Sequence, residues 1–153
     1  MLSTASGRNK VNTRRHNAFG RVLIVPLLLL ASACRPDAST ARGTAERFLD
    51  AHYVRIDLPA SLEFTSGLAR HKVESEIDLV QGVTIDETTR KPSVHYSMLE
   101  ERPDGTDAVS FVYRGHIRVE DAESFERRWL LTVRRDGDAW RVTNYQELEE
   151  GDG

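Results

Sequence analysis

Apolar residues recur at helical spacing through the first half of the folded region and alternate through the second. Over 44–57, "TAERFLDAHYVRID", residues Ala45, Phe48, Leu49, His52, Tyr53 and Ile56 fall on one face at i, i+3, i+4 spacing. This predicts an amphipathic helix, with Thr44 as its cap. Asp57 is then placed to cap a second short helix, where Pro59 sits early in the first turn and its missing N–H costs nothing. Leu62 is its clearest core residue, with Phe64 nearby. A third helix follows Ser66 over "GLARHKVESEIDLVQ", its stripe being Leu68, Ala69, Val73, Ile77 and Val80, with Gly82 placed to end it.

From about residue 92 the period drops from 3.6 to 2. Val94, Tyr96 and Met98 alternate with polar residues; so do Val109, Phe111, Tyr113, Gly115, Ile117 and Val119. Phe125, Trp129, Leu131 and Val133, then Trp140 and Val142, complete four half-buried strands. Asp136-Gly137 suits a two-residue hairpin loop, pairing Val133 with Trp140 and Leu131 with Val142. At Asp104-Gly105 a four-residue loop pairs Tyr96 with Gly115, and a two-residue loop pairs Val94 with Gly115; both keep one apolar face. The expected class is therefore α+β, with three N-terminal helices packed on a four-stranded antiparallel meander.

The N-terminal pattern is different. "VLIVPLLLLASA", Val22 to Ala33, is an unbroken apolar run. It falls short of the ~20 residues that cross a bilayer as a helix. A basic stretch from Arg8 to Arg21 precedes it, and small residues end it, as in a secretory signal peptide. Residues 1–33 hold five basic residues and no acid; the remainder keeps sixteen bases against all twenty-four acids, a formal net of −8 hidden within the whole-chain −3. A net-acidic body argues against nucleic acid as a partner, since such binding neutralises phosphates with Lys and Arg.

The run closes on "ASAC", and Cys34 is the one cysteine in the chain. This resembles the lipobox of bacterial lipoprotein signal peptides, with Ser32, Ala33 and Cys34 matching its last three positions and Ala31 standing where leucine is usual. The resemblance implies cleavage before Cys34, its acylation, and a membrane held through acyl chains. Arg35, rather than Asp, follows the cysteine, which favours the periplasmic face of the outer membrane in a Gram-negative cell. Simple secretion and a retained short anchor are the alternatives. Thr13-Arg14-Arg15 hints at twin-arginine export, but the residues after it fit poorly. The expected organisation is 1–33 signal peptide, 34–43 flexible tether, 44–149 folded domain and 150–153 disordered tail.

The opening "AERFLDAHYVRIDLPASLEF" and the closing "DAWRVTNYQE" resemble the nuclear-transport-factor-2-like fold, a cone built from helices over a curved sheet. The resemblance implies an inward-facing chamber where relatives that are enzymes keep a carboxylate or a His/Asp pair with a tyrosine. Here His52, Tyr53, Tyr96 and Tyr113 are the inward candidates, but no inward strand position is Asp or Glu. Buried tyrosines with satisfied hydroxyls and a core-edge histidine explain them better. His95 and His116 face each other under the four-residue loop, too few ligands for a metal site. No phosphate-binding or nucleophile motif occurs, and no cofactor is expected.

Arg114, His116, Arg118, Arg128, Arg134 and Arg141 all take the polar phase of their strands. They gather positive charge on the outer sheet face of a net-acidic domain, fit for an envelope protein or an anionic polymer; Glu120, Glu126 and Glu147 could instead balance them as cross-strand pairs. The expected function is an exported, lipid-anchored, non-catalytic binding or interaction module of the cell envelope. An isomerase- or dehydratase-type enzyme and a structural envelope component are the alternatives.

Overall fold

The computed structural model describes residues 37–83 and 91–148. The leader, Cys34 and the tail at 150–153 lie outside them. Among the described residues no helix is long and apolar enough to cross a membrane.

Helix α1 spans Ala41–Leu49, three residues earlier than the apolar stripe suggests. Its cap is Thr40, whose Oγ1 accepts from the Gly43 N–H at 3.0 Å. Thr44, the expected cap, is buried and donates to the Ala38 carbonyl at 3.2 Å. Residues 41–43, expected in the tether, thus belong to helix α1, and Asp37–Thr40 form the turn that caps it. Gly43 permits this, because a Cβ there would lie 1.8 Å from the Asp37 carbonyl oxygen. Helix α1 continues as a π turn, Asp50–Val54. The turn is closed by Ile56 at φ 55, with the Asp57 N–H donating back to the Ala51 carbonyl at 2.8 Å. A β-branched residue in the left-handed region is strained. It reverses the chain so that Asp57 caps α2, Leu58–Ser61, by accepting from the Ala60 N–H at 3.1 Å, as its sequence predicts.

After a 3-10 turn, Leu62–Phe64, helix α3 runs Gly67–Leu79. Ala69 and Val73 are fully buried and Ile77 packs beside them. Leu68 and Val80, expected on that stripe, are exposed. The contacting face is narrower and passes instead through Lys72 and Glu76. Two polar residues on an inward face mark the place where α3 meets the edge of the sheet.

Strands β1 (Ser93–Pro103), β2 (Ala108–Arg118), β3 (Phe125–Asp136) and β4 (Ala139–Leu148) form an antiparallel meander in chain order. Tyr96 pairs with Gly115 and Val94 with Ile117, the register of the longer first loop, although a bulge at Leu99 shifts the pairing nearer the turn. The last hairpin differs from expectation. Asp136 pairs with Ala139, so the loop is Gly137-Asp138, and Val133 faces Val142 instead of Trp140. A two-residue slip leaves every side chain on its face, so alternation could not detect it.

A second bulge, between Thr132 and Val133 of β3 as paired with β4, leaves Thr143 unpaired. Beyond it Leu131 pairs with Tyr145, not Val142. Val142 and Tyr145, three residues apart, thus both turn inward. The free edge of β4 is covered on this stretch. Thr65 forms a parallel bridge with Val142, the Ser66 N–H donates to the Val142 carbonyl at 3.0 Å, and Lys72 Nζ donates to the Tyr145 carbonyl at 2.7 Å and Asn144 Oδ1 at 3.0 Å.

The core joins Phe48 and Leu49 of α1 and Val73 of α3 to Phe111, Tyr113, Trp129, Leu131, Val133 and Val142 of the sheet. Gly115 has a specific reason to be glycine: a Cβ there would lie 2.1 Å from Cη2 of Trp129. The indole fills that space and stacks on Tyr53, centroids 4.2 Å apart at 20°.

Candidate functional site

The π turn and the β4 bulge together build the most polar part of the interior. Widening the helix by one residue presents His52 and Tyr53 together; the bulge brings Tyr145 to meet them. Glu76 arrives from α3. One oxygen of Glu76, Oε1, accepts from the Tyr145 hydroxyl at 2.7 Å, and Oε2 meets His52 Nε2 at 2.6 Å. A carboxylate only accepts, so Nε2 carries the imidazole proton. His52 is sandwiched between Phe48, stacked at 5.0 Å, and the rings of Tyr53 at 4.4 Å and Tyr145 at 5.1 Å. Burial pushes its pKa below the usual histidine value; the adjacent Glu76 opposes that shift and does not overcome it. The ring is therefore neutral at pH 7. Burial, with Glu76 second or third in weight, also drives the Tyr53 and Tyr145 hydroxyls well above the usual phenol range, so both remain protonated.

A second group lies toward β1. The Tyr96 hydroxyl reaches Asp50 Oδ1 at 3.2 Å and the Glu46 carbonyl at 3.3 Å, and the ring meets Tyr113 edge-on at 5.7 Å. Tyr113 and Trp129 are cross-strand partners, and the Trp129–Tyr53 stack links this group to the first. Burial raises both the Tyr96 and Tyr113 hydroxyls far above the usual phenol range.

All four inward candidates thus share one aromatic wall, but only His52 touches a carboxylate side chain in the first group and only Tyr96 in the second. The sequence reasoning sought an acid on the strands and so missed Glu76. Its signal was present: Glu76 lies three residues after Val73 and seven after Ala69, on the buried face of α3. Tyr145 was also missed; its signal was an aromatic out of phase with Trp140 and Val142, which implies a bulge.

Three buried polar atoms on this wall have no partner: His52 Nδ1, the Tyr113 hydroxyl and Trp129 Nε1.

The outer face carries the six residues expected there. Arg114 lies directly opposite Arg128, and Arg134 opposite Arg141; His116 pairs with His95, and Arg118 with Ser93. Of the expected balancing acids, Glu126 reaches Arg114 at 3.6 Å, whereas Glu147 pairs with Arg127 at 2.5 Å on the inner phase.

No protein-family model matches this chain, and no curated protein matches it. Solved structures do. A protein assigned as a calcium/calmodulin-dependent protein kinase type II association domain, from Thiobacillus denitrificans, is 13% identical at TM-score 0.55, over 71% of this chain and 93% of that one. VirB8 of Agrobacterium tumefaciens is 9% identical at TM-score 0.52, over 73% and 92%. A ketosteroid isomerase-like protein from Erwinia carotovora atroseptica is 14% identical at TM-score 0.48, over 72% and 93%. Identities this low speak for the fold alone, a nuclear-transport-factor-2-like α+β fold.

Proposed function

We propose that this chain is an exported binding module of the cell envelope, anchored through an acylated Cys34 and acting by contact rather than turnover. One observation carries the contact reading. Each oxygen of Glu76, the carboxylate beside His52, already holds an internal donor, and those donors tie the π turn, α3 and β4 together. Both carboxylate oxygens are thus occupied by internal partners, which suits a clamp better than a general base. The space between helices and sheet is filled beside it by Trp129 against Gly115 and Tyr53. The anchor rests on the basic flank, the short apolar run and "ASAC". With Arg35 following the cysteine, the periplasmic face of an outer membrane is the expected address in a Gram-negative host. Intact-mass measurement of the membrane fraction, with Cys34→Ala as control, tests the anchor: an unmodified full-length chain rejects it.

A second reading, proton transfer by an isomerase-type enzyme, draws on the 37% exposure of the Glu76 side chain and the free Nδ1 of His52. It is separable. In D2O, an enzyme using Glu76 would speed deuterium exchange α to the carbonyl of a cyclic ketone, and Glu76→Gln would stop it. Exchange at the solvent rate leaves the contact reading standing.

A further inference from the structure

We infer that the outer sheet face is a docking surface for a linear, phosphate-bearing polyanion, laid along a diagonal row of arginines. The inference rests on the binding-module reading and specifies its partner. The row starts with Arg141 and Arg134, opposed on β4 and β3; it crosses Arg128 and Arg114, opposed on β3 and β2; and it ends near Arg118 on β2. At about 3.3 Å per residue along a strand and about 4.8 Å between strands, it is roughly 30 Å long. A narrow row of that length suits an extended chain.

Two features show that the charges are not there to balance one another. Like charges directly opposite across a sheet repel, and this face sets arginine against arginine twice. Two of the ion pairs on this face are loose: Glu126 stands 3.6 Å from Arg114 and Asp104 3.8 Å from Arg134, and both acids are exposed. In addition, Nε of Arg128 is buried with no acceptor. An anion bridging each pair removes the repulsion. Two guanidinium forks offer more donors than the two oxygens of a carboxylate can take, whereas a phosphate presents its oxygens in several directions. The outer phase of β2 and β3 (Ser110, Val112, Arg114, His116, Arg118; Glu126, Arg128, Leu130, Thr132, Arg134) holds no Phe, Tyr or Trp on which successive bases could stack, which disfavours single-stranded nucleic acid.

The probe is linear inorganic polyphosphate, titrated against the full chain in non-ionic detergent. At about 0.7 released ions per contact on a single strand, the four arginines of the two opposed pairs give a roughly 50-fold loss of affinity between about 50 and 200 mM salt. Arg114→Gln with Arg128→Gln should reduce the salt slope by about 1.4, whereas Arg70→Gln on α3 leaves it unchanged. Arg141→Glu should weaken binding yet keep or raise the melting temperature, because it replaces a repulsive pair; a residue with a purely structural role would lower the melting temperature. The inference is overturned if the double variant binds polyphosphate as the parent does. It is equally overturned if phosphatidylglycerol vesicles, or single-stranded DNA of equal charge, bind more tightly than polyphosphate. The anchored-module reading is judged separately, by the intact mass and the ketone exchange.

Discussion

Replacing Glu76 tests whether the polar interior holds the fold together. Its carboxylate accepts from Tyr145 at 2.7 Å and meets His52 at 2.6 Å, and these donors are only 6% and 9% exposed. In Glu76→Ala both lose their acceptor. Each buried donor left unmet costs about 1–3 kcal/mol. Because the glutamate side chain is itself 37% exposed, water can enter and meet part of the demand, which favours the lower end. The expected loss is about 2–4 kcal/mol. Glu76→Gln should cost under about 1 kcal/mol. Its amide oxygen can serve Tyr145, and its NH2 can donate to His52 Nε2 once the proton moves to Nδ1, which is unpartnered now. Tyr145→Phe keeps the ring contacts with Phe48 and His52 and should cost about 1 kcal/mol. In the double variant with Glu76→Ala, that cost should nearly vanish. Urea unfolding followed by the fluorescence of Trp129 and Trp140 gives all four values. If Glu76→Ala loses less than about 0.5 kcal/mol, or Gln costs as much as Ala, the clamp is not what binds π turn, α3 and β4 together.

Other expectations can be checked with the same unfolding assay. Gly115→Ala must displace the Trp129 ring from a position 2.1 Å from the new methyl and break its stack on Tyr53, so it should cost about 1–3 kcal/mol or more and blue- or red-shift the native emission. Thr40→Ala removes the acceptor for the Gly43 N–H and should cost about 1 kcal/mol, with proteolysis near residues 37–43 rising. His52 is neutral in the fold with its pKa lowered, so the unfolded chain binds more protons in acid. Its contribution to stability is therefore complete above the unfolded value of 6.5 and is lost as pH falls from there toward the folded value. The slope of stability against pH should be at most about 1.4 kcal/mol per unit from this group and should flatten in His52→Phe; an unchanged slope would assign the acid sensitivity to carboxylates instead.

Legibility followed the kind of force that sets each feature. Strands β1 to β4 and, apart from the exposed Phe125, their buried faces were readable because burial of one face imposes strict alternation, and the Asp57 cap with Pro59 was readable because its chemistry is local. The start of α1 was not. Thr44 and Thr40 are both plausible caps, and the choice depends on Gly43 packing against Asp37, a contact between backbones that leaves no apolar pattern. The slip at Gly137-Asp138 was invisible for a symmetry reason, since moving two residues restores every face.

The interior site escaped for a more instructive reason. Periodicity assumes that each element keeps its period, and this site exists because two elements break theirs. The π turn at Asp50–Val54 and the bulge at Thr143 each add one residue, and the two irregularities meet across Glu76. Both need tertiary support. Ile56 accepts a strained backbone to close the first, while Thr65, Ser66 and Lys72 hold the edge of β4 around the second. The same glutamate that accepts from His52 and Tyr145 sits one turn beyond Lys72 on α3. Helix α3 thus secures the irregular stretch of β4 from both sides, through its backbone carbonyls and through its one inward tyrosine. The opposed arginines lie on the opposite face of the sheet, away from this clamp.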